Sequence, residues 1–209
     1  MATAVRETAA RAGSAATRVK ILQAAELLFA KEGFDRVTLR QIARASGQRN
    51  VAAVQYHFGS KERLLTAIVD KHRAELDERR RLLIDDCDGN NDGEDLRSLL
   101  TILVQPLVLK LDSPSGRAYL RIQAQGFSNE TMRPATRRVV QRIGQSLSAA
   151  KSAPGDPYRS HFAILLLFHG LADRARQEEK GAAARRNRAA FARALEEALL
   201  GLLRGGGNV

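Results

Sequence analysis

TLRQIARASGQRNVAAVQYHFGSK, residues 38 to 61, reads as two short helices around one tight turn. Thr38 is set to cap the first helix, and Gln41 three residues on completes a capping box. Leu39, Ile42 and Ala43 form its inward face, and Gly47 ends it. Asn50 is set to cap the second helix, Val51 to Phe58. Val54 and Phe58, four apart, point inward, which leaves Ala52, Ala53, Gln55 and Tyr56 outside. Gly59-Ser60 closes the pair, and Ser60 caps a further helix that opens at Lys61. Two such helices make a helix-turn-helix. A short second helix with small and hydrogen-bonding residues outside fits a DNA major groove. Its alanines let the backbone near the base edges, Gln55 can bond adenine, and Tyr56 and His57 can reach phosphate.

Working outward, apolar spacing is helical nearly everywhere and strand signals are almost absent, so the expected fold class is all-α with about nine helices. A first helix is expected from Arg18 to Glu32, with Ile21, Leu22, Ala25, Leu28 and Phe29 on one face and Thr17 as N-cap. Gly33 suits the left-handed position after it, with Phe34 folding back. The helix opening at Lys61 is expected to reach about Ile84. The acidic, glycine-bearing stretch 85–95 (DDCDGNNDGED) reads as a loop. Further helices are expected over about 96–111 (kinked at Pro106), 117–126, 130–149, 158–178 and 184–204, with turns at 113–116 and 153–157. The expected organisation is a flexible basic arm (1–16), a helix-turn-helix domain (17–63), a helical regulatory and dimerisation domain (64–204) and a short tail (205–209).

Composition narrows the function. The chain has 209 residues, 44% of them hydrophobic and 27% charged, enough for a packed core. Its net charge is +11 and its pI near 10.6, a balance that attracts polyanions. Residues 1–63 hold 11 Lys/Arg against 5 Asp/Glu and are the denser positive region. The longest apolar run, Phe162 to Phe168, is far short of a membrane span. The first twenty residues are charged and lack an apolar block, so no secretory signal and no membrane partner are expected. The single cysteine, Cys87, excludes an intrachain disulfide framework and a multi-thiolate zinc site. The expected setting is cytoplasmic. No nucleophile–base pairing, phosphate-cradling glycine loop or metal-ligand spacing is evident, so no catalytic residue, metal or cofactor is expected.

Residues 17–65 resemble the N-terminal DNA-binding domain of TetR-family (tetracycline-repressor-like) transcriptional regulators. The resemblance rests on an ordered set: the first helix's apolar face, the Gly33-Phe34 stop, Thr38 with Ile42 and Ala43, and the Tyr-His-Phe-Gly-Ser-Lys-Glu run at 56 to 62. It covers about a quarter of the chain. One departure lies in the turn, where Gly47-Gln48-Arg49-Asn50 is one residue longer than the frequent Gly-Val-Ser and brings Arg49 to the mouth of the second helix. Gln55 stands where tyrosine is frequent. The resemblance implies DNA contacts drawn from Thr38, Arg40, Arg49, Asn50, Ala52, Ala53, Gln55, Tyr56, His57 and Lys61. Lys61, at a helix N-terminus, is expected on phosphate.

The resemblance also implies a homodimer on a double-stranded operator and a small-molecule effector bound in the C-terminal helices. The residues add their own hints. The stretch 162–168 is apolar all round and needs cover on every side. Phe191, Leu195, Ala198, Leu199 and Leu202 recur at helical spacing behind it. With Phe162 and Leu166 they are the expected dimer surface, two helices from each chain forming a four-helix bundle. Tyr119, Arg121, Gln123, Gln125, Phe127, His161 and His169 are polar or aromatic groups beside apolar stretches, candidates for orienting an effector. The leading expectation is a homodimeric repressor released from a palindromic operator by a small molecule. The alternatives are a transcriptional activator and a non-specific architectural DNA binder.

Overall fold

The computed structural model describes residues 2–90, 95–126, 132–149, 157–181 and 186–205. Its described residues form nine α-helices: α1 (Ala2–Glu32), α2 (Leu39–Ala45), α3 (Val51–Phe58), α4 (Lys61–Asn90), α5 (Leu96–Leu109), α6 (Pro114–Gln123), α7 (Pro134–Ala149), α8 (Pro157–Lys180) and α9 (Arg188–Arg204), with a 3-10 turn at Lys110–Asp112. The chain divides into two compact units, Met1–Lys71 and His72–Val209. Helix α4 runs without interruption across the division.

In the first unit α1 and α2 pack on each other and on α3. Ile21, Ala25 and Phe29 of α1, Ile42 and Ala43 of α2, Val54 and Phe58 of α3, and Leu64 and Ile68 of α4 are all buried. Gly33 turns left-handed (φ 89°), its N–H reaches back to the Phe29 carbonyl at 3.1 Å, and the Phe34 ring sits 5.3 Å from that of Phe29. The first helix does not begin at Arg18 with Thr17 as its cap. It begins at Ala2, so residues 2–16 continue the helix and are not an arm outside it. Seven alanines and no proline in 2–17 favour helix strongly enough to carry it through Thr17.

The second unit is built around one apolar cluster that includes Leu76, Leu100, Val104, Leu107, Tyr119, Val139, Leu167, Leu171, Leu195 and Leu199. Helix α5 packs on α7 and α9, and α8 on α6 and α9. Asp95 caps α5 through the Ser98 N–H at 2.8 Å. Ser113 caps α6 through the Gly116 N–H at 2.9 Å, with Pro114 at the first helical position, so the expected turn at 113–116 is the start of α6. Gly116 is required there: a Cβ would stand 2.0 Å from the Lys110 carbonyl oxygen.

Helix α4 also outruns expectation, reaching Asn90 through what reads as loop. The added turns are held by one ion pair within α4 and by others from α7. Asp85 meets Arg81 at 3.0 Å and Arg138 at 3.2 Å, and Asp88 meets Arg138 and, at 2.6 Å, Arg142. Asp77 on α4 serves as a distant cap for α7, accepting from the Thr136 N–H at 2.8 Å and the Ala135 N–H at 3.4 Å.

Candidate nucleic-acid interface

The helix-turn-helix is assembled from local caps. Thr38 accepts from the Gln41 N–H at 3.3 Å, and its own N–H donates to Gln41 Oε1 at 2.8 Å, which completes the capping box. Gln41 also ties α2 to α1 through Glu32 at 3.3 Å. After α2 the chain turns at Gly47 (φ 73°), and Gln48 closes the turn by donating to the Ser46 carbonyl at 3.2 Å. Asn50 then caps α3 through the Ala52 N–H at 3.0 Å. Gly59 ends α3 with φ 76° and an N–H on the Gln55 carbonyl at 2.8 Å. Ser60 caps α4 through the Arg63 N–H at 3.2 Å.

These caps present α3 with one face in and one face out. Val54 and Phe58 are buried, whereas Ala52 and Gln55 are exposed and Ala53 and His57 half-buried. Tyr56 is 84% exposed, its ring edge-on to His57 at 5.2 Å. A large aromatic this exposed gains nothing from its own fold; it is held out on a short helix whose remaining outer residues are small or hydrogen-bonding. Arg40 and Arg49 are exposed, and neither has an ion pair among the described residues. The same holds for Arg36 and Arg44, which the sequence reading omitted. The signal for Arg44 was available, since it lies four residues after Arg40 on the same face of α2.

Lys61, expected on phosphate, takes partners within its own chain. Its ammonium donates to the Phe34 carbonyl at 3.0 Å and the Asp35 carbonyl at 3.5 Å and lies 4.3 Å over the Phe34 ring. It holds the connection between α1 and α2. Thr38 and Asn50 likewise spend their side chains on caps.

The effector candidates separate in the second unit. Tyr119 is buried, stacked on His72 with ring centroids 4.5 Å apart and hydrogen-bonded to Arg73, and burial pushes its phenol pKa up. Arg121 donates to Glu179 of α8 at 3.0 Å. Gln123 is buried. Gln125 is exposed and donates to the Arg121 carbonyl at 3.3 Å. His161 and His169 are exposed on α8 and so do not line an interior. Phe127 lies outside the described residues.

The expected dimer surface also divides. Phe162 and Leu166 are exposed, in company with Tyr158, Ile164 and Leu165. Ala198 is exposed and Phe191 and Leu202 are half-buried. Leu195 and Leu199 are buried in their own chain's core, because α9 turns its leucine face onto α5 and α8. Among the described residues no helix is long and apolar enough to cross a membrane.

Residues 21–68 match the family model described as bacterial regulatory proteins, tetR family. Among curated proteins none matches. Solved structures do. Native NalD, the secondary repressor of the MexAB-OprM multidrug efflux pump in Pseudomonas aeruginosa, is 26% identical, with a TM-score of 0.54 over 91% of this chain and 98% of that one. A putative tetR family transcription regulator from Shewanella sp. PV-4 is 19% identical, with a TM-score of 0.54 over 88% of this chain and 95% of that one. A gamma-butyrolactone receptor (ArpA-like protein) is 21% identical, with a TM-score of 0.52 over 88% and 99%. The last two establish a shared fold. Residues 21–68 thus form a helix-turn-helix of the kind found in bacterial regulatory proteins of the tetR family, followed by helices whose fold the solved regulators share.

Proposed function

We propose that the protein is a homodimeric, effector-responsive transcriptional repressor acting in the cytoplasm. The observation that carries this reading is the outer face of α3, where Ala52, Gln55 and the 84%-exposed Tyr56 stand clear of the core, together with the exposed cations Arg40, Arg44 and Arg49, which have no ion pair among the described residues. In the reading, α3 lies in the major groove, Gln55 reads a base edge, and Tyr56, His57 and the arginines meet phosphates. Two copies match half-sites about 34–36 Å apart, or a multiple of that. The exposed apolar residues of α8, Tyr158, Phe162, Leu165 and Leu166, support pairing, since they recur at i, i+4, i+7 and i+8.

An effector bound in the second unit acts through α4, the helix shared by both units. It releases DNA only by binding the released form more tightly than the DNA-bound form. Similarity to a gamma-butyrolactone receptor and to a repressor of an efflux pump supports a small-molecule signal and a repressing role. The experiment is fluorescence anisotropy of the purified chain on the region upstream of its own gene, against competitor DNA at moderate salt. Preference for the upstream region is expected. Equal binding to both would leave a charge-driven architectural binder.

A further inference from the structure

Two buried groups of the second unit carry N–H donors that meet no acceptor among the described residues. Arg80 of α4 is 6% exposed. Its Nη1 donates to Thr136 Oγ1 at 3.0 Å and its Nη2 to the Leu103 carbonyl at 2.8 Å, both neutral acceptors, while its Nε is unpartnered. Gln123 of α6 is 8% exposed, and its Nε2 is unpartnered. Tyr119 stands one turn before Gln123 on the same face of α6, and it interacts electrostatically with Arg80. The carboxylate beside Arg80, Asp77, is committed to the N–H groups and hydroxyl that open α7. Burial accordingly pulls the guanidinium pKa down to about 10, against the opposing pull of Tyr119 and Asp77.

What these groups lack is an acceptor, and the charge left uncompensated is positive. A neutral acceptor would satisfy the donors and leave the charge. A carboxylate supplies two acceptor oxygens and the missing negative charge together. Tyr119 belongs to the apolar core cluster, as do Leu76, one turn before Arg80 on α4, and Val139, one turn after Thr136 on α7. Arg117, whose Nε is also without a hydrogen bond, differs because Glu179 lies 3.9 Å away. We propose that Arg80 and Gln123, flanked by Tyr119, form a recognition site for the anion of a small carboxylic acid with an apolar body. The proposal deepens the effector-responsive reading and rests on it for its regulatory meaning.

The test uses the full chain with octanoate and 3-phenylpropanoate as probes, each against its primary amide, followed by thermal shift and calorimetry. The carboxylates are expected to bind about ten-fold more tightly than the amides. Arg80→Met and Gln123→Leu should each erase that preference. Gln123→Leu removes a donor without a partner, so without ligand it should melt at or above the parent temperature. It therefore keeps the test valid even where Arg80→Met, which also loses its bonds to Thr136 and Leu103, folds poorly. Equal binding of acid and amide, no binding of either, or a preference that survives Gln123→Leu overturns the site. Carboxylate binding that leaves DNA affinity untouched supports the site and overturns effector release. Specific DNA binding without carboxylate preference overturns the site alone.

Discussion

Lys61 offers the sharpest contrast between two physical roles for one charge. Lys61→Met keeps the aliphatic stem and deletes the ammonium. The lost interactions are the bonds to the Phe34 and Asp35 carbonyls, at 3.0 and 3.5 Å, and the contact 4.3 Å above the Phe34 ring. A hydrogen bond from a charged donor contributes about 1.5–3 kcal/mol, and an exposed cation–π contact about 0.5–1 kcal/mol. Lys61 is half-buried, so solvent screens part of this, and the expected loss is roughly 1–3 kcal/mol. For a chain of this size that lowers Tm by roughly 2–12 °C. Urea unfolding followed by circular dichroism gives the stability. Anisotropy on the upstream DNA between 50 and 200 mM salt, as rough limits, gives the salt slope. The slope is expected to stay unchanged, because the ammonium is turned to the protein's own carbonyls. An unchanged Tm together with a slope reduced by about 0.9 would mean that Lys61 neutralises a phosphate, and would refute this assignment.

Three further outcomes follow from exposure and pairing. Tyr56→Ala should leave stability within about 0.5 kcal/mol, since the ring is 84% exposed, and weaken DNA binding about ten-fold; equilibrium unfolding paired with anisotropy checks both. Phe162→Glu, at a position 52% exposed, should keep the helical circular dichroism signal but shift the particle to half its mass in light scattering; an unchanged mass would remove α8 from the dimer surface. Glu178 is fully buried between Arg174 at 3.0 Å and Arg188. Burial pushes its carboxyl pKa up, but hydrogen bonds and charge from Arg188 and Arg174 outweigh this and hold it below its ordinary 4.5. Its stabilisation is therefore present above about pH 4.5 and is lost as pH falls through the lowered value. Glu178→Gln should cost about 3 kcal/mol at pH 7, a cost that shrinks in acid as the carboxylate protonates, in urea unfolding measured across pH; a cost that stays constant with pH would refute the linkage.

The parts of the molecule legible from residues alone are those whose physics is local. Thr38 with Gln41, Asn50 with Ala52, and Ser60 with Arg63 are partners two or three residues apart, so cap, turn and the exposed face of α3 follow from order along the chain. The left-handed turns at Gly33, Gly47 and Gly59 follow from the one residue type without a Cβ penalty. Tertiary structure decided whatever depends on distant partners. Lys61 meets Phe34 27 positions away, Asp77 caps α7 from 59 positions away, and Asp85 and Asp88 keep α4 helical through arginines about 50 positions on. Leu195 and Phe162 carry the same apolar character, yet one is buried in its own chain and the other is left outside. Periodicity marks a helix face as apolar; only the packed neighbours determine which surface covers it, because burial is non-directional and accepts any apolar partner.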